Sequence, residues 1–265
     1  MPYDLTAIAK RTRPTRRKSA TFRDIPPSTA LANDLYAACY APIVAAWTAA
    51  LPDIMAEYER SLSAITRDAP ADLQSEVGKV ETSIDRLFIT IRPALERLIL
   101  RTEQWHRGKW RGAALSATGV DVGTMIGPDA VRTTLGLAVE RNVGLIKDVS
   151  AQARNRISDS VFRGLQQRRP ARDVAKEIRD ATGMARDRSM RIASDQLSKI
   201  TESLSDERRR EAGLDKWEWK WSGKQNGRPE HIARDGKVYS DDDPPPDLPQ
   251  ELPFCGCRSL SVIEF

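Results

Sequence analysis

Apolar residues recur at three- and four-residue steps along most of the chain and switch to strict alternation only near its C-terminal end. Leu73, Val77, Val80, Ile84, Leu87, Ile91, Leu95 and Leu98 lie on one stripe, widened by Phe88 and Ile99. That is the period of an amphipathic helix, and it predicts one over 71–108, bent at Pro93. Ala30 to Arg67 is helical in composition, with Ser28 as N-cap and with Pro42 and Pro52 expected to kink or split it. A glycine-punctuated connection follows over 108–128. Val131, Leu135, Leu137, Val139, Val143, Leu145, Ile146 and Val149 then start a helix that runs on through Ile157, Val161, Phe162 and Leu165 and ends at Arg168-Arg169-Pro170. Val174 and Ile178 predict a shorter helix closed at Gly183, and Ile192, Ala193, Leu197, Ile200 and Leu204 another that stops at Gly213.

From Trp217 the period changes to two. Trp217, Trp219 and Trp221 alternate with Glu218 and Lys220, as in a half-buried strand. Asp235-Gly236 is a turn dipeptide leading into a second strand at Lys237-Val238-Tyr239. Pro244-Pro245-Pro246 enters neither a helix nor a central strand, so 243–253 reads as an extended, solvent-facing connection. Ser259 to Phe265 reads as a closing strand. The fold class is therefore mainly α with a small C-terminal α+β domain: long N-terminal helices, further helices, and a small antiparallel sheet with a Pro-rich loop. The expected divisions are a basic flexible arm over 1–27, a helical region over 28–120 and a C-terminal domain over 121–265, with its sheet mainly in 214–265.

Net charge of +5 permits an anionic partner without demanding one. The basic residues concentrate in the arm, where Lys10, Arg11, Arg13, Arg16, Arg17 and Lys18 are candidates for contact with nucleic-acid phosphates or an acidic protein surface. Arg208-Arg209-Arg210 reads instead as a solvated helix end opposing the helix dipole. The 3 cysteines are Cys39, Cys255 and Cys257, an odd number that argues for a reducing compartment rather than a disulfide framework. Cys39 reads as a small buried apolar residue. No signal segment is evident and no apolar run approaches membrane-spanning length, so a soluble protein made in a cytoplasm is expected, without membrane contact.

His231, Cys255 and Cys257 are the residues in the C-terminal region with metal-ligating character. Zinc is the metal that suits them, with Asp235 or one of Asp241, Asp242 and Asp243 as a fourth ligand. Against a metal stands the Cys-x-Cys spacing, which is not that of a knuckle. The plainer reading has His231 and Asp235 hydrogen-bonding the long loop while the cysteines pack in a reduced core, with no cofactor. His106, flanked by Trp105 and Arg107, reads as a packing or helix-surface residue. With 2 histidines in all and no glycine-rich phosphate cradle, catalysis is not expected and no small-molecule substrate is implied.

The order of these signals resembles the phage Mu F-like minor head protein family, the phage head morphogenesis proteins. The resemblance covers residues from about 105 to 265 and is carried by Asn142-Val-Gly-Leu-Ile-Lys-Asp148, Asp173-Val-Ala-Lys-Glu-Ile178, Arg191-Ile-Ala-Ser-Asp-Gln196 and Ala212-Gly-Leu-Asp-Lys-Trp-Glu-Trp219. Its terminal signature is His231, Asp235-Gly236-Lys-Val-Tyr239, Pro244-Pro-Pro246 and Cys255-Gly-Cys257-Arg258. Two departures stand out: Ser194 occupies a position where the family usually has Arg, and Lys224-Gln-Asn-Gly-Arg228 replaces an Asp-x-Arg-Val-Arg element. The resemblance implies a non-enzymatic minor capsid protein of a tailed phage or prophage, in the head interior or portal region of the virion and synthesised in the bacterial host cytoplasm. Its implied partners are the portal protein, the major capsid protein and packaged DNA. The alternatives are a phage-associated enzyme or toxin-like protein using the Cys/His set, or an accessory that binds DNA non-specifically during packaging.

Overall fold

The computed structural model describes residues 3–12, 17–64 and 69–265, with the backbone alone for 64 and 69–73. Its elements are α1 (Leu5–Thr12), β1 (Ser19–Thr21), α2 (Thr29–Leu35), a π-helical turn (Tyr36–Tyr40), α3 (Ala41–Ala49), α4 (Leu51–Ala64), α5 (Ala69–Thr118), α6 (Arg132–Gln166), α7 (Ala171–Glu211), β2 (Lys216–Lys220), α8 (Pro229–Ala233), β3 (Val238–Ser240) and β4 (Arg258–Glu264). Long helices followed by a small antiparallel sheet are the architecture that the periodicity predicts. The chain divides into two compact units that do not follow its linear order. One comprises Met1–Ala32, Leu98–Ala138 and Ser194–Phe265, and carries the sheet; the other comprises Asn33–Arg97 and Val139–Ala193. The dividing points fall inside α2, α5, α6 and α7.

In the helical unit, Pro42 and Pro52 do split the stretch after Ser28: each sits in the first turn of a new helix, α3 and α4. Thr29–Ser63 is, by length and composition alone, apolar enough to cross a membrane, contrary to the expectation that no run approaches that size. Within the unit it is interrupted at the π turn and buries Leu35, Cys39, Tyr40, Ile43 and Trp47. Burial pushes the Cys39 thiol up to about 11, so it behaves as an apolar filler. The polar ends of the large aromatics are satisfied: Tyr40 Oη donates to Asn142 Oδ1 at 3.1 Å, Trp47 Nε1 to Ser150 Oγ at 3.2 Å, and Tyr58 Oη to the Arg169 carbonyl at 2.7 Å. On α6 the buried stripe is Leu135, Val139, Asn142, Ile146, Val149, Ala153, Ile157 and Val161. Leu137, two residues off that stripe, is 68% exposed.

Two expected breaks are absent. Helix α5 continues through Gly108 and Gly112 because Trp110, Ala113 and Ala114 extend its buried face into the core of the sheet-bearing unit. Helix α7 continues through Gly183: Val174, Ile178 and Ala181 are buried before it, Ile192, Ala193, Leu197, Ile200 and Leu204 after it, and Thr182 and Ser189 between them. A glycine inside a helix costs about 1 kcal/mol relative to alanine, less than such burial returns.

The sheet-bearing unit holds a 4-stranded antiparallel sheet in the order β1-β4-β2-β3. Of the residues expected as a flexible arm, the described ones contribute α1 and β1 to this unit. Strand β1 pairs with β4 in the register Ser19 to Glu264 and Thr21 to Val262. Leu5 and Ala9 of α1 are fully buried with Trp110, Ala212 and Ile263, and Tyr3 N donates to the Glu211 carbonyl at 2.8 Å. Arg13 and Arg16 lie outside the described residues; Lys10, Arg11, Arg17 and Lys18 are exposed.

Of the Arg208-Arg209-Arg210 helix end, Arg210 is exposed as expected, but Arg208 and Arg209 are not. Arg208 has 0% exposure and donates to Glu103 Oε1 at 2.7 Å, Glu211 Oε2 at 2.7 Å and the Gly127 carbonyl at 2.9 Å. Arg209 is buried too, pairs with Asp206 and Asp241, donates to Ser259 Oγ at 3.2 Å and lies over the Trp217 ring. His106 is buried within the same unit, with its Nε2 2.9 Å from Ser205 Oγ. Burial, reinforced by the Arg208 charge, pulls it down to about 3 and keeps it neutral.

Arg208→Ala is expected to destabilise the protein by about 3–5 kcal/mol, since it leaves the buried Glu103 carboxylate with only the longer pair to Arg107 Nε at 3.6 Å. Chemical denaturation monitored by circular dichroism reads the loss directly. A change within about 0.5 kcal/mol, the range of an ordinary surface site, would refute the buried-pair account.

Candidate functional site

The site lies on the sheet where β2, α8 and the loop returning to β4 converge. Trp217 and Trp219 point into the core from alternate positions of β2, as the alternation predicts, and pack with Cys255 and Cys257; Tyr239 and Leu252 close the cluster. Asp235-Gly236 does turn the chain into β3. Gly236 takes φ +76°, its N donates to the Trp219 carbonyl at 2.8 Å, and Asp235 Oδ1 accepts from Trp221 N at 2.8 Å. Asp235 is thereby committed to the turn and Asp241 to Arg209, so neither is the fourth metal ligand anticipated from the sequence.

The short helix α8 was not legible as a helix. Pro229 opens it and Arg228 precedes it in extended conformation. It carries His231 inward to 2% exposure, edge-on to the Trp219 ring with centroids 5.0 Å apart. His231 Nε2 is 2.6 Å from Asp247 Oδ2, while Nδ1 lies 3.5 Å from Cys255 Sγ and 3.6 Å from Cys257 Sγ. An ionised Asp247 can only accept, so Nε2 carries the hydrogen, and in the neutral imidazole Nδ1 then presents its lone pair to the two sulfurs. Burial pushes the Asp247 carboxyl up, but hydrogen bonds from Arg234 and His231 outweigh it and hold the group below its ordinary value. Arg234 Nη1 donates to Asp247 Oδ1 at 2.7 Å and its guanidinium stacks 5.0 Å from the Trp219 ring centre.

The two thiols share one environment. Cys255 is lowered because Cys257 S–H donates to it, and that bond together with burial raises Cys257. Between them Gly256 has no room for a side chain: a Cβ there would meet Ser222 Cβ at 2.6 Å and Lys224 Cε at 2.8 Å. The Pro-rich segment is less solvent-facing than expected, with Pro245, Pro249 and Gln250 buried. It is fastened from several sides. Lys199 Nζ donates to the carbonyls of Gln250 at 2.8 Å and Glu251 at 3.1 Å, Gln250 Nε2 donates to the Cys257 carbonyl at 3.1 Å, and Phe254 N donates to Asp195 Oδ1 at 2.7 Å.

Arg258, the last residue of the terminal signature, forms a two-pronged pair with Asp24 through Nε and Nη2, each at 2.7 Å. Beside it Glu202 of α7 accepts from Ser259 N at 2.9 Å and from the Ser259 hydroxyl. Burial of its carboxyl raises Glu202 to about 8 despite those bonds. Sequence reasoning did not find Asp247, Arg234, Asp24 or Glu202. Each acts across a sequence separation that periodicity does not report. The structure thus brings His231, Cys255 and Cys257 together, places Asp235, Gly236 and Arg258 as supports around them, and leaves the exposed Lys10, Arg11, Arg17 and Lys18 in a different part of the unit's sequence.

Residues 155–260 match the family described as Phage Mu protein F like protein, a structural family of phage head morphogenesis. A protein of Haemophilus influenzae (strain ATCC 51907 / DSM 11121 / KW20 / Rd), described as an uncharacterized protein, is 28% identical over 121 residues. The aligned part is 46% of this chain and 27% of the relative, so the chain spans about a quarter of the length of the curated relative it matches. No solved structure matches the chain.

Two outcomes are expected at the site. Asp247→Ala should cost about 1–3 kcal/mol by leaving the His231 N–H and the Arg234 guanidinium without their acceptor; urea titration measures it, and a loss no larger than that of an exposed Asp→Ala would contradict the assignment. Glu202 titrates in the opposite sense to an ordinary surface carboxylate. The fold favours its protonated form, so that contribution is complete below pH about 4.5 and is lost as pH rises to about 8. Glu202→Gln keeps an acceptor for Ser259 and should flatten the decline in melting temperature across that window. A wild-type slope preserved in the variant would show that another group carries it.

Proposed function

We propose, on the premise that residues 155–260 are a Phage Mu protein F like domain, that the protein is a non-enzymatic minor head protein of a tailed phage or prophage, bound in the virion to the portal or the inner shell. The observation that carries this is the family match itself. It spans the end of α6, all of α7, β2, α8 and β3, and β4 as far as Leu260. The domain supplies a rigid surface: its functional-looking side chains are turned inward, onto tryptophans and buried ion pairs, which suits docking better than turnover. His231, Cys255 and Cys257 then serve the architecture of the docking head.

A second role is favoured by one further observation. Lys10, Arg11, Arg17 and Lys18 are exposed outside the matched segment. Exposed cations of this kind hold nucleic-acid phosphates without reading bases. In this reading they touch packaged DNA, or an acidic face of the portal or major capsid protein, while the domain stays fixed.

The test is co-purification with the portal protein encoded by the same phage or prophage, with quantitative mass spectrometry of isolated heads. Low-copy presence in heads together with portal binding is the expected result; absence from both would sink the proposal. For the second role, replacing Lys10, Arg11, Arg17 and Lys18 by alanine should weaken DNA binding. The slope of log affinity against log salt should fall by roughly 0.9 for each phosphate that is no longer neutralised. An unchanged slope would remove DNA from the reading.

A further inference from the structure

We propose that His231, Cys255 and Cys257 bind a zinc ion, with a water as the fourth ligand, and that this ion clamps the Cys-Gly-Cys segment to α8. The inference concerns the interior of the sheet-bearing unit and holds whatever surface the protein docks to.

Four observations converge on it. The first is distance. Zinc bonds of about 2.0–2.1 Å to imidazole nitrogen and about 2.3 Å to thiolate, at tetrahedral angles, separate nitrogen from sulfur by about 3.5–3.6 Å. His231 Nδ1 lies 3.5 Å from Cys255 Sγ and 3.6 Å from Cys257 Sγ. The second is valence. Nδ1 has one lone pair, and two sulfurs stand at nearly equal distance from it. Hydrogen bonding satisfies one S–H there at most. One cation on that lone pair accounts for both sulfurs.

The third observation is the support behind the imidazole. His231 Nε2 is 2.6 Å from Asp247 Oδ2, and Arg234 fixes Asp247 in turn at 2.7 Å. A carboxylate on the far nitrogen is how proteins orient a metal-bound histidine and sharpen its donor lone pair. The fourth is burial: the three ligand residues are each at most 4% exposed, packed against Trp217 and Trp219. Sulfur and imidazole together select zinc over harder divalent cations. No fourth His, Cys, Asp or Glu joins the cluster among the described residues, which leaves the last position to a small exogenous ligand.

The experiment uses the full chain. Elemental analysis of protein purified without chelator should find about one zinc per chain. The reduced, metal-stripped protein should then take up cobalt(II) with visible tetrahedral bands and a near-ultraviolet thiolate-to-cobalt charge-transfer band. Cys257→Ser should lose much of the charge-transfer intensity. Because that variant can fail by misfolding, Asp247→Asn gives a second reading: it keeps all three ligands and should weaken zinc affinity roughly 10–100-fold in a chelator competition. Protein that carries no zinc as purified, and develops no charge-transfer band with cobalt when its thiols are reduced, overturns the proposal. That result would leave portal binding and head incorporation, which are measured separately, untouched.

Discussion

The sheet-bearing unit depends on a charge held where a charge is costly. Arg208 is fully buried, and removing a guanidinium from water costs several kcal/mol unless partners replace the lost hydration. They do so from three separate stretches of chain: Glu103 on α5, the Gly127 carbonyl in the connection that follows, and Glu211 one turn further along α7. These partners are acceptable only in one relative placement, so the pair fixes how α5 meets α7 in this unit. Neutral, buried His106 on α5 and Ser205 on α7 lie against each other in the same interior. Once α5 and α7 are fixed, the apolar core formed by Trp110, Ala113, Ala114, Ala212 and Leu214 has a surface on which α1 and Ile263 of β4 close.

The sheet inherits its position from that arrangement. Arg209, next along the helix, reaches Ser259 of β4 and Asp241 after β3, while its guanidinium covers Trp217 of β2. Glu202 reaches Ser259 from one helical face nearby. Arg258 then ties the start of β4 to Asp24, beside the strand contributed by the N-terminal residues. Charged groups that composition would assign to solvent are therefore the fasteners between helix and sheet. Their spacing along α7 places them on the face turned toward the strands.

The histidine and cysteine cluster packs on the same tryptophan face of β2. Its loop has three consecutive prolines and few ladder hydrogen bonds, so it must be held by side chains. Lysine, glutamine and aspartate fasten its middle, and the Cys-Gly-Cys turn packs so tightly on Ser222 that only glycine fits between the cysteines.

Much of the fold was legible in the residues themselves. Apolar stripes of period 3.6 gave the long helices, alternation of three tryptophans with charges gave β2, and Asp235-Gly236 gave the turn before β3, because these signals are local and each reports one buried face. Glycine punctuation misled at 108, 112 and 183, where burial along the helix outweighed a local helix penalty. The basic N-terminal residues read as an arm because composition records charge and proline; the pairing of β1 with β4 depends on residues more than 240 positions away. His231, Cys255 and Cys257 were recognisable by type and Asp247 was not. A ligand's character belongs to one side chain, whereas its convergence with others, its hydrogen-bonded support and the burial of Arg208 exist only once distant segments are folded together.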